Sequence, residues 1–222
     1  MSAMHEEVYN KLPEAIELMQ NIIRRGNSID DIVKNYPMEL LRHTLSVAKK
    51  TERLARFYGE DTGRPFTEHQ LKAIYHGGLF HDLGKLMVPY GIIDKPGKLC
   101  FEEFEIIKTH PRYGYELFRV DKSAIELSEN DPETYEMIRG IILYHHEKMN
   151  GKGYTGLVGD EIPLAARICA VADVYDALCE VRPYRDALDD ECALRIMNTD
   201  EGHFDMNVLG VFESHMAAIT AD

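Results

Sequence analysis

Tryptophan is absent from this 222-residue chain, cysteine occurs only four times, and basic residues number 25 against 38 acidic ones. Each shortage excludes something. Cys100, Cys169, Cys179 and Cys192 form no CxxC pair and share no zinc-finger spacing with a histidine. That excludes a disulfide scaffold and a thiolate zinc module, and the four read as reduced, mostly buried thiols. The net charge of −13 argues against nonspecific binding to duplex nucleic acid, because neutralising phosphates needs a basic face. It leaves room for a small phosphate ligand in a local basic pocket. No apolar run approaches the ~20 residues of a membrane span, and the opening residues show no basic stretch leading into an apolar one. A soluble cytoplasmic protein without a signal peptide is the expectation.

What is present is ordinary globular composition, 45% hydrophobic and 28% charged. The length suits one domain, or one with a short appendage. Nearly every segment carries helix-like periodicity, and none shows sustained period-2 alternation with hairpin turns. Helices are expected over residues 13–25, 38–58 (stopped by Gly59), 67–82, 101–110, 113–119, 132–147, 163–179, 187–197 and 206–219. Thr67 and Gln70 have capping-box spacing. Long functional loops are expected at 84–99 and 148–162. The fold class is therefore all-α. Residues 1–36 are too few for a separate sensor domain and read as a helical cap on the bundle or a self-association segment, which makes a homodimer conceivable.

Ten histidines stand out. His5, His69, His76, His203 and His215 read as satisfied core or surface residues. His43, His81, His110, His145 and His146 lie beside other potential metal ligands. Glu39 and His43, one helical turn apart on one face, can approach one cation together, although a solvated polar face is the plainer reading in isolation. His81-Asp82 and His145-His146-Glu147 each end an apolar helix. Asp173 lies in a helix that is apolar nearly all round, where a carboxylate is costly unless it is paired or coordinated. An ion pair with Arg167 or Arg182, or a metal, would compensate it, and the helix alone favours the ion pair. Imidazole and carboxylate donors without thiolate suit iron, manganese or zinc better than magnesium or calcium.

Taken in order, these residues match a known pattern. His81-Asp82-Leu83-Gly84-Lys85 is followed by Lys95-Pro96-Gly97-Lys98-Leu99 and His110-Pro111. Next come His145-His146-Glu147-Lys148-Met149-Asn150-Gly151-Lys152-Gly153-Tyr154, the Asp173-Val174-Tyr175-Asp176-Ala177-Leu178 run and Arg182-Pro183-Tyr184-Arg185. The chain resembles the HD-GYP subgroup of HD-domain phosphohydrolases from about Glu39 to Phe212, so that 37–222 would be a single HD-domain helical bundle. The resemblance implies two or three divalent transition metals held by His43, His81, Asp82, His110, His145, His146 and Asp173. Asp82 would bridge two metals and Glu39 would serve a third. Iron is the first candidate and manganese the next, with zinc or nickel as substitutes.

The same resemblance implies hydrolysis of cyclic di-GMP, or a related cyclic dinucleotide, to linear pGpG or GMP. Metals about 3.5–4 Å apart can share a hydroxide, which supplies a strong nucleophile at neutral pH. Lys85 would contact the scissile phosphate, Arg182 and Arg185 the ligand's phosphates or guanine, and Tyr154 would line the cleft. Other readings are an HD-type hydrolase of nucleotides or other phosphate esters, and a non-catalytic cyclic-dinucleotide-binding module. The chain departs from the family pattern at Tyr90, Cys100, Asn150, Thr155 (where the signature has proline) and Cys179. None of these is an expected metal ligand, so they bear on loop rigidity and substrate preference.

Overall fold

The computed structural model describes residues 3–26, 28–180 and 187–221. Among these, the regular structure is helical. In chain order the helices are α1 (Ala3–Arg24), α2 (Ile29–Lys34), α3 (Met38–Asp61), α4 (Glu68–Phe80), α5 (Tyr90–Ile93) and α6 (Phe101–Ile107). There follow α7 (His110–Phe118), α8 (Lys122–Asn130), α9 (Pro132–Tyr144), α10 (Leu164–Cys179), α11 (Asp190–Thr199) and α12 (Met206–Ile219). Two 3-10 turns, Leu83–Met87 and Gly159–Glu161, and an isolated bridge between Asn150 and Val158 complete the described regular structure.

Helix α3 runs through the middle of the bundle, with α4, α10 and α12 packed on it and α9 against both α4 and α10. Its neighbouring residues Val47 and Ala48 enter two different apolar clusters. Val47, Leu54, Leu71, Ile141, Ile168 and Phe212 belong to the first, beneath α11 and α12. Ala48, Phe80, Leu83, Leu117, Phe118 and Ile142 belong to the second. That second cluster also takes Ile23, Ile29 and Val33, so the N-terminal helices close its outer side. Two polar ties hold them there: Gln20 Nε2 donates to the Glu116 carbonyl at 2.9 Å, and the Ile29 amide donates to Asp121 at 3.0 Å.

Several expected boundaries move, each for an identifiable reason. The Thr67–Gln70 capping box forms and opens α4. Gly59 does not stop α3, which continues to Asp61 and ends at Thr62, followed by Gly63 in the left-handed region. Helix α1 extends ten residues ahead of Pro13 rather than beginning there. Pro111, expected to end a helix, instead sits in the first turn of α7, where its missing N–H has no intrahelical partner to lose. The 84–99 segment is partly helical, and α8, too short and too polar to signal itself, was not anticipated. Of the cysteines only Cys169 is buried, while Cys100 is exposed.

The turn after α4 is held close to the start of α7. A Cβ added to Gly84 would lie 1.9 Å from the His110 carbonyl oxygen and 2.5 Å from the Gly114 nitrogen. Those are backbone atoms, which cannot rotate away. Gly84→Ala is expected to cost at least about 3 kcal/mol, lowering the melting temperature by on the order of 10 °C in a thermal scan.

Candidate metal centre

Three of the clustered imidazoles sit where helices end. A helix leaves its last four carbonyls without intrahelical partners. His81, capping α4, places Nδ1 2.7 Å from the Gly78 carbonyl; His145, capping α9, places Nδ1 3.0 Å from that of Ile141. His110, opening α7, places Nδ1 2.7 Å from the Ile107 carbonyl at the end of α6. A carbonyl only accepts, so each Nδ1 must carry the proton. In the neutral ring Nε2 is then a bare lone pair, and all three Nε2 atoms turn inward. His43, from the second turn of α3, differs: its Nδ1 faces a carboxylate, Asp176 Oδ2, at 2.7 Å.

Asp82 stands between these rings with its two oxygens facing different sets. Oδ1 lies 3.2 Å from His110 Nε2 and 4.0 Å from His145 Nε2. Oδ2 lies 3.3 Å from His81 Nε2 and 3.9 Å from His43 Nε2. Asp173, from α10, brings Oδ1 to 3.2 Å from His43 Nε2 and 3.8 Å from His81 Nε2. Donor atoms of Asp82, His110, His145 and His146 all lie within 4.8 Å of one another, as do those of His43, His81 and Asp173. The two groups adjoin through Asp82, the geometry of a carboxylate placed to bridge two cations.

Electrostatics favour the ligating form at His145, His146, Asp82 and Asp173, whereas His43 is held in its protonated form. Burial, reinforced by His110, pushes His146 down to about 3, and burial with the neighbouring His146 holds His145 well below its ordinary value. Both rings are therefore neutral at pH 7. For Asp82, burial opposes ionisation but is outweighed by positive charge beside it, from His81 and His110 whenever they are protonated and from the Lys85 ammonium throughout, which holds the carboxyl well below the usual range. Asp173 is likewise held low against burial by His43 and His81. His43 is raised to about 10 because Asp173 and Asp176 outweigh its burial. Cations bound here would take over the proton's role between these groups.

The residues fit metal ions by what they leave unsatisfied. His81 Nε2 and Asp82 Oδ1 are buried without a hydrogen-bond partner among the described residues. His110 Nε2 and His145 Nε2 face each other at 3.3 Å, and with both Nδ1 protons committed to carbonyls neither nitrogen has a proton to share. Two lone pairs so placed in a water-poor site are unfavourable until a cation lies between them. The donor set is imidazole and carboxylate throughout.

The seven ligands expected from the resemblance are thus brought together, and Lys85 joins them with its ammonium on Asp82 Oδ2. Tyr154 stands at the rim, its ring centroid 4.6 Å from that of His146. Glu39 lies exposed in the first turn of α3, outside these groups. Arg182 and Arg185 fall outside the described residues. The ion pair favoured for Asp173 does not form with Arg167, which binds Asp160 at 2.9 Å and Asp205 at 2.8 Å. Arg167 projects from α10 toward the base of α12, and Asp173 takes the imidazoles instead. Four of the five histidines read as non-ligands, His69, His76, His203 and His215, each have a partner elsewhere.

Two groups were missed from the sequence. Asp176 fixes His43 and is itself held by Ser46 at 2.5 Å and Lys50 at 2.8 Å. Its i+3 spacing from Asp173 on α10 was the available signal. Glu147, 3% exposed, accepts the amides of Thr155 at 2.7 Å, Gly156 at 3.0 Å and Leu157 at 3.2 Å. It thereby shapes the loop that carries Tyr154. Gly153 must be glycine there, since a Cβ would meet the Glu147 backbone at 2.5 Å. A proline at 155 would offer Glu147 no N–H, so Thr155 adds an anchor that the usual signature lacks.

Comparison with known proteins agrees with this geometry. The family model for the HD domain matches residues 27–208. The chain is 34% identical over 196 residues to the cyclic di-GMP phosphodiesterase response regulator RpfG of Xanthomonas campestris pv. campestris, covering 85% of this chain and 49% of that protein. It is 34% identical over 175 residues to the 3'3'-cGAMP-specific phosphodiesterase 2 of Vibrio cholerae, covering 78% of this chain and 31% of that protein. The chain thus spans half or less of the length of these relatives. Among solved structures, Bd1817, an HDG"Y"P protein from Bdellovibrio bacteriovorus, shares the fold with a TM-score of 0.56 at 17% identity, covering 96% of this chain and 64% of that one.

Asp176 generates a prediction. Asp176→Ala leaves His43 without its orienting partner and is expected to weaken binding of one of two metal ions by about tenfold to a hundredfold, read by titration calorimetry of the apoprotein. Unchanged affinity for both ions would show that His43 needs no such support.

Proposed function

The chain belongs to the HD-domain family, in its HD-GYP subgroup, and on that footing we propose that it is a metal-dependent phosphodiesterase acting on cyclic dinucleotides. One observation carries the reading: Asp82, buried, turns one oxygen to His110 and His145 and the other to His81 and His43. His43, His81 and Asp173 would hold one ion; His110, His145 and His146 would hold another, with Asp82 shared. Divalent ions in these positions supply positive charge to the phosphoryl oxygens and acidify water.

The chain's own groups do the rest. Lys85 is 20% exposed and sits on Asp82 Oδ2, so its ammonium can meet a phosphate oxygen entering beside that carboxylate. The helix-end carbonyls keep three Nε2 lone pairs aimed inward, so the donors need not reorganise when charge develops. Tyr154 walls the cleft as a neutral phenol, since burial pushes its ionisation up. Arg182 and Arg185 are proposed, from their place in the motif, to grip the ligand's phosphates or guanine bidentately. Glu39, exposed one turn before His43 on α3, is retained as a proposed third-metal ligand from its place in the motif.

Iron is proposed first among the metals and manganese second, from the all-imidazole and carboxylate donor set. Cyclic di-GMP is the proposed first substrate and mixed cyclic GMP-AMP the second, because relatives are named for each. The product is linear pGpG or GMP. No helix among the described residues is long and apolar enough to cross a membrane, and a cytoplasmic location is part of the proposal. The 1–36 segment is proposed as a cap, with self-association through α1 the second role.

Anaerobically purified, metal-loaded protein is expected to cleave cyclic di-GMP or cyclic GMP-AMP, with products resolved by chromatography. Both substrates remaining intact at full metal loading would overturn the reading. Changing His81 and Asp82 together to alanine should abolish both metal content and turnover. Chelation of the wild-type protein should lower its melting temperature, since metals that bind only the folded chain stabilise it.

A further inference from the structure

Beside the metal centre, on the side of Tyr154, lies an aromatic surface that the chemistry above does not use. Phe104 on α6 is 44% exposed, although it is large and apolar. Its ring stands edge-to-face with Tyr154, centroids 6.1 Å apart at 89°, and Tyr154 in turn lies against His146. The aromatic surface is therefore continuous with the ligands. Lys108, one turn beyond Phe104, brings Nζ to 5.8 Å from the Phe104 centroid and 5.9 Å from that of Tyr154. Its other partner is the half-exposed Glu105 at 3.0 Å.

We propose that Phe104, Tyr154 and Lys108 form a guanine-binding subsite, in which a base of the dinucleotide stacks on the exposed Phe104 ring and Lys108 donates to its edge. This deepens the phosphodiesterase reading and rests on it. The chemistry selects the occupant. An open aromatic face joined to a phosphate-processing centre suits a planar base, and stacking accepts any base. Lys108 supplies the discrimination. An ammonium can only donate; guanine presents two acceptors, O6 and N7, on one edge, whereas adenine places an amino donor beside N7. In a chain of net charge −13, a lysine held over two rings next to the cleft is also a local attraction for an anionic ligand.

The test uses the full-length, metal-loaded chain with cyclic di-GMP and cyclic di-AMP. Phe104→Ala is expected to raise KM for cyclic di-GMP by roughly five- to a hundredfold, with kcat and metal content within about twofold of wild type. Phe104→Leu, which keeps the apolar volume but lacks the π face, should behave similarly and guards against a folding defect. Lys108→Met should narrow the preference for cyclic di-GMP over cyclic di-AMP. An unchanged KM in both Phe104 variants would overturn the subsite. Calorimetric binding of cyclic di-GMP separates the two claims. Phe104-sensitive binding without turnover would overturn the activity alone, and Phe104-insensitive binding would overturn the subsite.

Discussion

Everything at the centre of this protein follows from one constraint: imidazole Nε2 lone pairs and the Asp82 carboxylate are pressed together without protons to share. A protein core tolerates polar atoms when each finds a partner. Here His81 Nε2 and Asp82 Oδ1 find none among the described residues, and His110 and His145 present like lone pairs to each other at 3.3 Å. Such an arrangement is costly as it stands and becomes favourable around cations. The fold achieves it because carbonyls in the last turns of α4, α6 and α9 take the opposite ring nitrogens. Helix termini that other proteins cap with solvent or side-chain donors here fix the tautomers of a ligand set.

His43 breaks the pattern and shows the asymmetry of the site. It projects from the body of α3, not from a helix end, so no spare carbonyl is within reach. Asp176 replaces one, and that carboxylate needs Ser46 and Lys50 to be tolerable in a buried position. A carboxylate makes the ring more electron-rich than a carbonyl does. The two sides of Asp82 thus differ in chemistry: Oδ1 faces two backbone-directed imidazoles, His110 and His145, whereas Oδ2 faces one of that kind, His81, together with His43, a ring embedded in a charged network spanning α3 and α10.

Much of this was legible in the sequence. The helix class, the Thr67 capping box and the bounds of α12 follow from local rules, because propensity, capping chemistry and periodicity agree there. The ligand positions followed from the ordered pattern of His81-Asp82, His110, His145-His146 and Asp173. Local rules alone could not place the partner of Asp173: a helix cannot reveal that Arg167 points toward Asp160 and Asp205, and Arg182, the other partner considered, lies outside the described residues. Pro111 misled for a related reason. A proline in the sequence marks a boundary, but only the packing of α7 against the turn that holds Gly84 decides whether it ends one helix or begins the next. Asp176 and Glu147 stood inside recognised motifs, yet their roles depend on groups 130 and 8–10 residues away in sequence.

The departures from the family pattern gain meaning from where they fall. Tyr90 and Cys100 belong to the α5–α6 region, which has a small apolar cluster of its own in Val88, Ile92 and Ile106. Asn150 and Thr155 lie on the loop organised by Glu147. There Asn150 Nδ2 donates to the Glu201 carbonyl at 3.1 Å, a bond that an aspartate could not make, and Thr155 gives Glu147 the amide that proline would withhold. The ligands, by contrast, are positioned by helices buried in the two large clusters. Side chains around the satellite cluster and the loop can therefore change while the lone pairs stay aimed, provided α6 keeps the Ile107 carbonyl on His110. Phe104 and Lys108 lie on α6 and its C-cap, beside that satellite, and Tyr154 on that loop. The proposed subsite thus assigns selection of the ligand to a part of the fold whose packing is largely distinct from the packing that holds the metal centre.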